Sequence, residues 1–133
     1  MDAVRVLLVD DQTAYLHAMG SVVEETPGFE AVGEASSGEE SVAMAADVHP
    51  DLVLMDINLP GIDGVEATRR LLGGSHPPIV LLLSTYDEDA GAQFVAESGA
   101  FAYVTKSALG PARLHDLWVA ARGGRAPSSG WDR

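Results

Sequence analysis

The chain has 133 residues, no cysteine, and 20 acidic against 8 basic side chains, for a formal net charge of −12. That length supports one buried core rather than two, and without cysteine there is neither a disulfide framework nor a thiolate metal centre. The acidity argues against direct grip on a nucleic-acid backbone, which needs clustered Lys and Arg. No apolar run approaches the ~18 residues of a membrane-spanning helix, and the opening MDAVRVLLVDD lacks the basic-then-apolar order of a secretion signal. A cytoplasmic globular domain is the simplest expectation.

The first apolar run, Arg5 to Val9, is nearly continuous, as strands buried on both faces of a parallel sheet are, and it ends in Asp10-Asp11. Tyr15, Leu16, Met19, Val22 and Val23 then share one face of a helix that Pro27-Gly28 terminates. A second strand is expected over Phe29 to Gly33 and a helix over Gly38 to Asp47, stopped by His49-Pro50. The third run, Leu52 to Met55, leads into Asp56. The next helix, Asp63 to Leu72, opens with an Asp63/Glu66 capping box and closes at Gly73-Gly74. Ile79 to Leu83 is the fourth strand, followed by Ser84-Thr85 and a helix from Asp87 to Ser98 that Gly99 ends. Phe101 to Val104 is the fifth, with Lys106, the chain's one lysine, just beyond it. Leu114, Leu117, Trp118 and Ala121 mark a last helix, whose stripe is read as core or in part as a dimer surface. GGRAPSSGWDR has linker composition, so residues 1–122 are expected to form the domain and 123–133 a tail. His17, His49, His76 and His115 are scattered and read as surface or capping residues.

Five β-α repeats with right-handed crossovers make a doubly wound α/β domain, a five-stranded parallel sheet flanked by five helices. Ligands of such sheets bind outside the carboxyl ends of the strands. Asp10, Asp11, Asp56, Ser84, Thr85 and Lys106 all fall there. Two unit charges ~4 Å apart cost about 1 kcal/mol in water and about 4 kcal/mol at an effective dielectric of 20, so three carboxylates need a cation. One ammonium does not balance them; a hard divalent cation with all-oxygen ligands does, and Mg²⁺ shares its shell with phosphate oxygens. A carboxylate is also a competent nucleophile toward phosphorus.

These segments resemble the receiver domains of two-component response regulators, over about residues 4 to 122 and most closely in the NarL/FixJ-like branch. RVLLVDDQ is similar to the family's first strand and acidic pair, DLVLMDINLPGIDG to its phosphoacceptor segment, and VLLLSTYD and GAFAYVTKSAL to its switch-hydroxyl and lysine segments. The resemblance implies the flavodoxin/CheY-like strand order 2-1-3-4-5, an order the family's chemotaxis receiver illustrates in general accounts of the fold. It further implies Asp56 as phosphoacceptor, Asp11 as direct and Asp10 as water-mediated Mg²⁺ ligand, and Asn58 as a ligand through its backbone carbonyl. Lys106 pairs with the phosphoryl group, Ser84 (or Thr85, one register away) is the switch hydroxyl, and Tyr103 the switch aromatic. Asn58 and Tyr86 tune dephosphorylation, and Pro60 and Gly64 shape the loop after Asp56, Gly64 by permitting an unusual backbone conformation. Serine at position 107, where many relatives carry proline, leaves open whether the Lys106-Ser107 peptide is cis.

The implied function is a phosphorylation-dependent switch, not a classical enzyme, that catalyses its own phosphorylation and dephosphorylation. A sensor histidine kinase supplies the phosphoryl group, which adds about −1.5 to −2 charges. Ser84 then moves toward it and Tyr103 rotates inward into the vacated space, altering the surface of the fourth helix, fifth strand and last helix. Output is expected through a helix-turn-helix DNA-binding domain outside these residues. Three other readings compete: a constitutive interaction module on the same fold, a Mg²⁺-dependent aspartyl phosphatase, and a flavin or nucleotide binder. The phosphatase lacks its D-x-D signature at Asp56-Ile57-Asn58, and Asp10-Asp11 repels phosphate where a nucleotide binder offers a Gly-rich loop.

Overall fold

The computed structural model describes residues 3–85 and 88–123. Tyr86, Asp87 and nearly all of the expected tail lie outside the described residues. Strands β1 (Val4–Val9), β2 (Phe29–Ala35), β3 (Leu52–Asp56), β4 (Ile79–Ser84) and β5 (Ala102–Thr105) alternate with helices α1 (Thr13–Glu24), α2 (Gly38–Val48), α3 (Gly64–Leu72), α4 (Glu88–Ser98) and α5 (Pro111–Arg122). All strand pairs are parallel, in the order β2-β1-β3-β4-β5. A short 3₁₀ turn, Lys106–Ala108, follows β5. Among the described residues no helix is long and apolar enough to cross a membrane.

The continuous apolar runs became the inner strands because both faces of the sheet are covered. On one face Val6, Leu8, Leu54, Leu81, Leu83 and Val104 pack on α1 and α5, through Leu16, Met19 and Val23 and through Leu114 and Leu117. On the other, Leu7, Val9, Val53, Met55, Val80, Leu82 and Tyr103 pack on Ala67 and Leu71 of α3, with Met44 of α2 and Phe94 of α4 against them. The helix ends follow local chemistry. Asp63 caps α3 by accepting from the Glu66 backbone N–H at 2.9 Å. Ser37 caps α2 by accepting from Glu40 N–H at 3.0 Å, while the Glu40 carboxylate accepts from Ser36 N–H at 2.7 Å. His49 ends α2 in the left-handed region at φ 48°, a capping role, and the other three histidines are exposed.

One expectation changes and two open points close. Leu114 and Leu117 are 0% and 1% exposed, and Trp118 stands edge-on to Phe29 with ring centroids 6.3 Å apart. Leu114 and Leu117 are therefore core and offer no surface to a second copy, while Trp118 and Ala121 are half-buried. Gly64 has no left-handed backbone; the positive φ in that loop falls at Gly61, at 75°. What position 64 requires is closeness, since a Cβ there would lie 2.3 Å from the Asp56 carbonyl oxygen and 2.8 Å from Ile57 Cα. Finally, the Lys106-Ser107 peptide is trans.

The chain runs from β1 outward to β2 and back across to β3, so strand order reverses between β1 and β3, the crevice where ligands of open parallel sheets bind. Asp10 and Asp56 flank that crevice. Because the atoms facing Gly64 are backbone and cannot swing aside, Gly64→Ala is expected to destabilise the fold by about 1–3 kcal/mol, read from the urea midpoint at unchanged slope.

Candidate functional site

Asp10, Asp11 and Asp56 each place a carboxylate oxygen within 4.8 Å of the others. Asp10 and Asp56 are 0% and 3% exposed, whereas Asp11 faces solvent. Lys106 enters from the turn after β5, its Nζ 2.8 Å from Asp10 Oδ2 and 3.4 Å from Asp56 Oδ1. The other Asp10 oxygen, Oδ1, accepts the Gln12 backbone N–H at 2.9 Å. Both Asp10 oxygens are thus engaged by donors, and the solvent-facing carboxylate of Asp11 completes the group.

The electrostatics follow from burial. Burial first, and the charge of Asp10 second, push the Asp56 carboxyl up to about 6, against the pull of Lys106 and the Asn58 backbone N–H. For Lys106 burial works against the charged form, but the hydrogen bond to Asp10 and the charges of Asp56 and Asp10 outweigh it and hold the ammonium above its ordinary value. Lys106 stays charged, yet three carboxylates against one ammonium leave two negative charges unbalanced. A hard divalent cation fits this all-oxygen donor set in charge and chemistry.

Of the two hydroxyls that the sequence left open, Ser84 is fully buried at the end of β4 and Thr85 is exposed. Ser84 pairs in register with Thr105 and Leu82 with Tyr103, so period-two alternation puts Ser84 and Tyr103 on the same sheet face, toward α3 and α4. In this structure the Tyr103 ring lies inside, 9% exposed and tilted on Phe94 with centroids 6.3 Å apart, and Ser84 is buried as well. The reason is Gly91 on α4, where a Cβ would stand 2.1 Å from Tyr103 Cδ2 and 2.8 Å from its Cβ. The missing side chain is the slot that receives the ring. Asn58 is exposed, beside Asp56.

The response regulator receiver domain family matches residues 6–118. This chain belongs to that family. It is 42% identical to the response regulator GacA of Pseudomonas viridiflava over 106 residues, 79% of this chain and 49% of that protein. Identity to the transcriptional regulatory protein LiaR of Bacillus subtilis is 32% over 120 residues, 90% of this chain and 57% of that one. A LuxR-family two-component response regulator from Aurantimonas sp. SI85-9A1 superposes with a TM-score of 0.81 at 32% identity, covering 95% of this chain and 91% of the other. The chain spans about half the length of the curated relatives it matches.

Two residues at this receiver's site escaped the sequence reading. Gly91 stands inside a helical segment with no motif to mark it, and Tyr15 read as one more member of the α1 stripe. A glycine that costs a helix about 1 kcal/mol relative to alanine is a signal, but one without an address until the partner is known.

Two outcomes follow. Gly91→Ala is expected to destabilise the protein by about 1–3 kcal/mol with Tyr103 present, and by less in a Tyr103→Ala background, where the ring is gone and only the Cβ 2.8 Å away remains. Urea unfolding of the four proteins shows whether the cost shrinks when the ring is removed. With a chelator present, the raised carboxyl of Asp56 makes its ionisation unfavourable to folding. Below about pH 4 the group is protonated in both states and exacts no penalty; as pH rises through about 6 a penalty on the order of 3 kcal/mol develops. Metal-free Asp56→Asn should therefore be the more stable protein above pH 6, with the advantage fading toward pH 4, as unfolding midpoints across pH will show.

Proposed function

We propose that this chain is a phosphorylation-dependent signalling switch in which Asp56 accepts a phosphoryl group from a sensor histidine kinase. The observation that carries the reading is the Lys106 ammonium 2.8 Å from Asp10 and 3.4 Å from Asp56, with the exposed Asp11 carboxylate completing an acidic group open to solvent. Asp11, Asp56 and the Asn58 carbonyl would hold Mg²⁺ directly, and Asp10, its oxygens already engaged by Gln12 and Lys106, would act through water. Bound there, Mg²⁺ supplies positive charge to oxygens of the transferring group.

The chain's own part is positioning and electrostatics, as phosphoryl transfer requires. An Asp56 carboxylate oxygen forms the bond to phosphorus as the bond to the donor's imidazole nitrogen breaks, and the leaving nitrogen keeps the electron pair. Desolvation at Asp56 and the adjacent Asp10 charge leave its carboxylate poorly stabilised as an anion, which favours its conversion to an acyl phosphate. Lys106 meets a phosphoryl oxygen with its ammonium, and Ser84 donates its hydroxyl to another. Asn58 and Tyr86 set how readily water reaches the acyl phosphate. Tyr103, sharing the Ser84 face, carries the change to the surface of α4, β5 and α5 by a shift between two arrangements of different affinity for the phosphoryl group. The output is transcriptional control through a DNA-binding domain outside these residues, in the cytoplasm.

Incubation with labelled acetyl phosphate and Mg²⁺ tests the assignment. Wild type should take up one label that Asp56→Asn abolishes and a chelator suppresses, and Lys106→Ala should slow uptake by about a hundredfold. Label retained by Asp56→Asn overturns the proposal.

A further inference from the structure

The Lys106 ammonium has a third neighbour beyond its two carboxylates. Its Nζ stands 3.6 Å from the centroid of the Tyr15 ring, well inside the roughly 6 Å over which a cation is drawn to an aromatic face. Tyr15 lies in the first turn of α1, half-buried, in the wall of a cavity of about 390 Å³ that Met19, Val22, Leu109 and Lys106 also line. Its neighbours on the α1 stripe, Leu16, Met19 and Val23, are core side chains of the ordinary kind. Tyr15 instead turns its ring to a charge.

That ring differs from the other two anchors in what it ignores. Asp10 and Asp56 hold the ammonium by charge, and any cation bound among Asp10, Asp11 and Asp56 competes with Lys106 for the same oxygens. A lysine on a flexible four-carbon stem that is drawn less strongly by its carboxylates is freer to swing toward solvent. The aromatic face does not ligate a hard cation, so its hold persists while the carboxylates change partners. It faces the ammonium directly, in a partly desolvated pocket where such attraction is strongest.

We infer that Tyr15 is a positioning residue for phosphoryl transfer, its ring holding the Lys106 ammonium beside Asp56 when a metal ion nearby weakens the pull of the carboxylates on it. This rests on the reading of Asp56 as phosphoacceptor. The interaction belongs to the ring face and not to the hydroxyl, so phenylalanine should substitute and leucine should not.

Two measurements test it. The first, a double-mutant cycle on the metal-free protein, compares Tyr15→Leu in wild type and in Lys106→Met, which keeps the bulk of the stem. The folding equilibrium constant should fall about two- to thirtyfold further when Lys106 is present; equal losses in the two backgrounds overturn the contact. The second is the rate of label uptake from acetyl phosphate at saturating Mg²⁺. Tyr15→Leu should be about two- to thirtyfold slower than wild type, with Tyr15→Phe within about twofold of it. A Tyr15→Leu protein as fast as wild type, or a Tyr15→Phe protein as slow as Tyr15→Leu, overturns the positioning role. Failure of the wild type itself to take up label overturns the phosphoacceptor reading and the role of Tyr15 in the reaction together. The stability cycle, which needs no phosphoryl donor, then still decides the contact.

Discussion

Two carboxylates, Asp10 and Asp56, sit almost wholly out of water at the ends of neighbouring strands, and the ammonium of Lys106 reaches both. Removing such groups from water is costly, and their mutual repulsion in a low dielectric adds to the cost. The domain tolerates the pair because β5, two strands away from β3, ends in a tight turn that brings the chain's one lysine back over the crevice. Much else in the rim follows from this requirement. Gln12 occupies the remaining oxygen of Asp10, Asn58 lends a backbone N–H to Asp56, and Gly64 lets α3 start against the Asp56 carbonyl. The residual negative charge is what a divalent cation would neutralise.

The sheet also separates two kinds of work. Asp56 pairs in register with Leu83, which packs toward α1 and α5, the side from which Tyr15 meets Lys106. Ser84, the next residue on β4, faces the other way with Tyr103, toward α3 and α4. The charged group and the Ser84–Tyr103 packing therefore lie on opposite faces of the sheet and meet only at its rim. The glycine in α4 shapes one of those faces, since the Tyr103 ring occupies space that a side chain at position 91 would otherwise fill.

Much of this was legible in one dimension. The inner strands announced themselves as unbroken apolar runs because both sheet faces are buried, and their last residues pointed to the site because a parallel sheet gathers strand ends on one rim. The edge strand was harder. β2 runs on to Ala35, since its pairing with β1 continues from Leu7 against Gly33 to Val9 against Ala35, but glutamates at 30 and 34 interrupt the apolar signal. The α5 stripe could be read either as core or as contact surface. Only the packing of Leu114 and Leu117 against the sheet made those two core residues. Gly64 was singled out for the wrong reason, because a string of letters does not distinguish a glycine needed for its φ from one needed for its missing Cβ.

The sequence by itself determined the fold class, the five strands and the identity of the acidic group, the lysine and the buried hydroxyl's segment. Each of these is written in local pattern or in residue type at a strand end, where chemistry depends on what the residue is. Tertiary structure alone decided which carboxylate is exposed, which hydroxyl is buried, that Tyr103 rests inside over Gly91, and that Tyr15 lies against Lys106. Those facts concern pairs separated by 12 to 91 residues along the chain, brought together by crossovers and register. Sequence carries no distance between such residues; packing does.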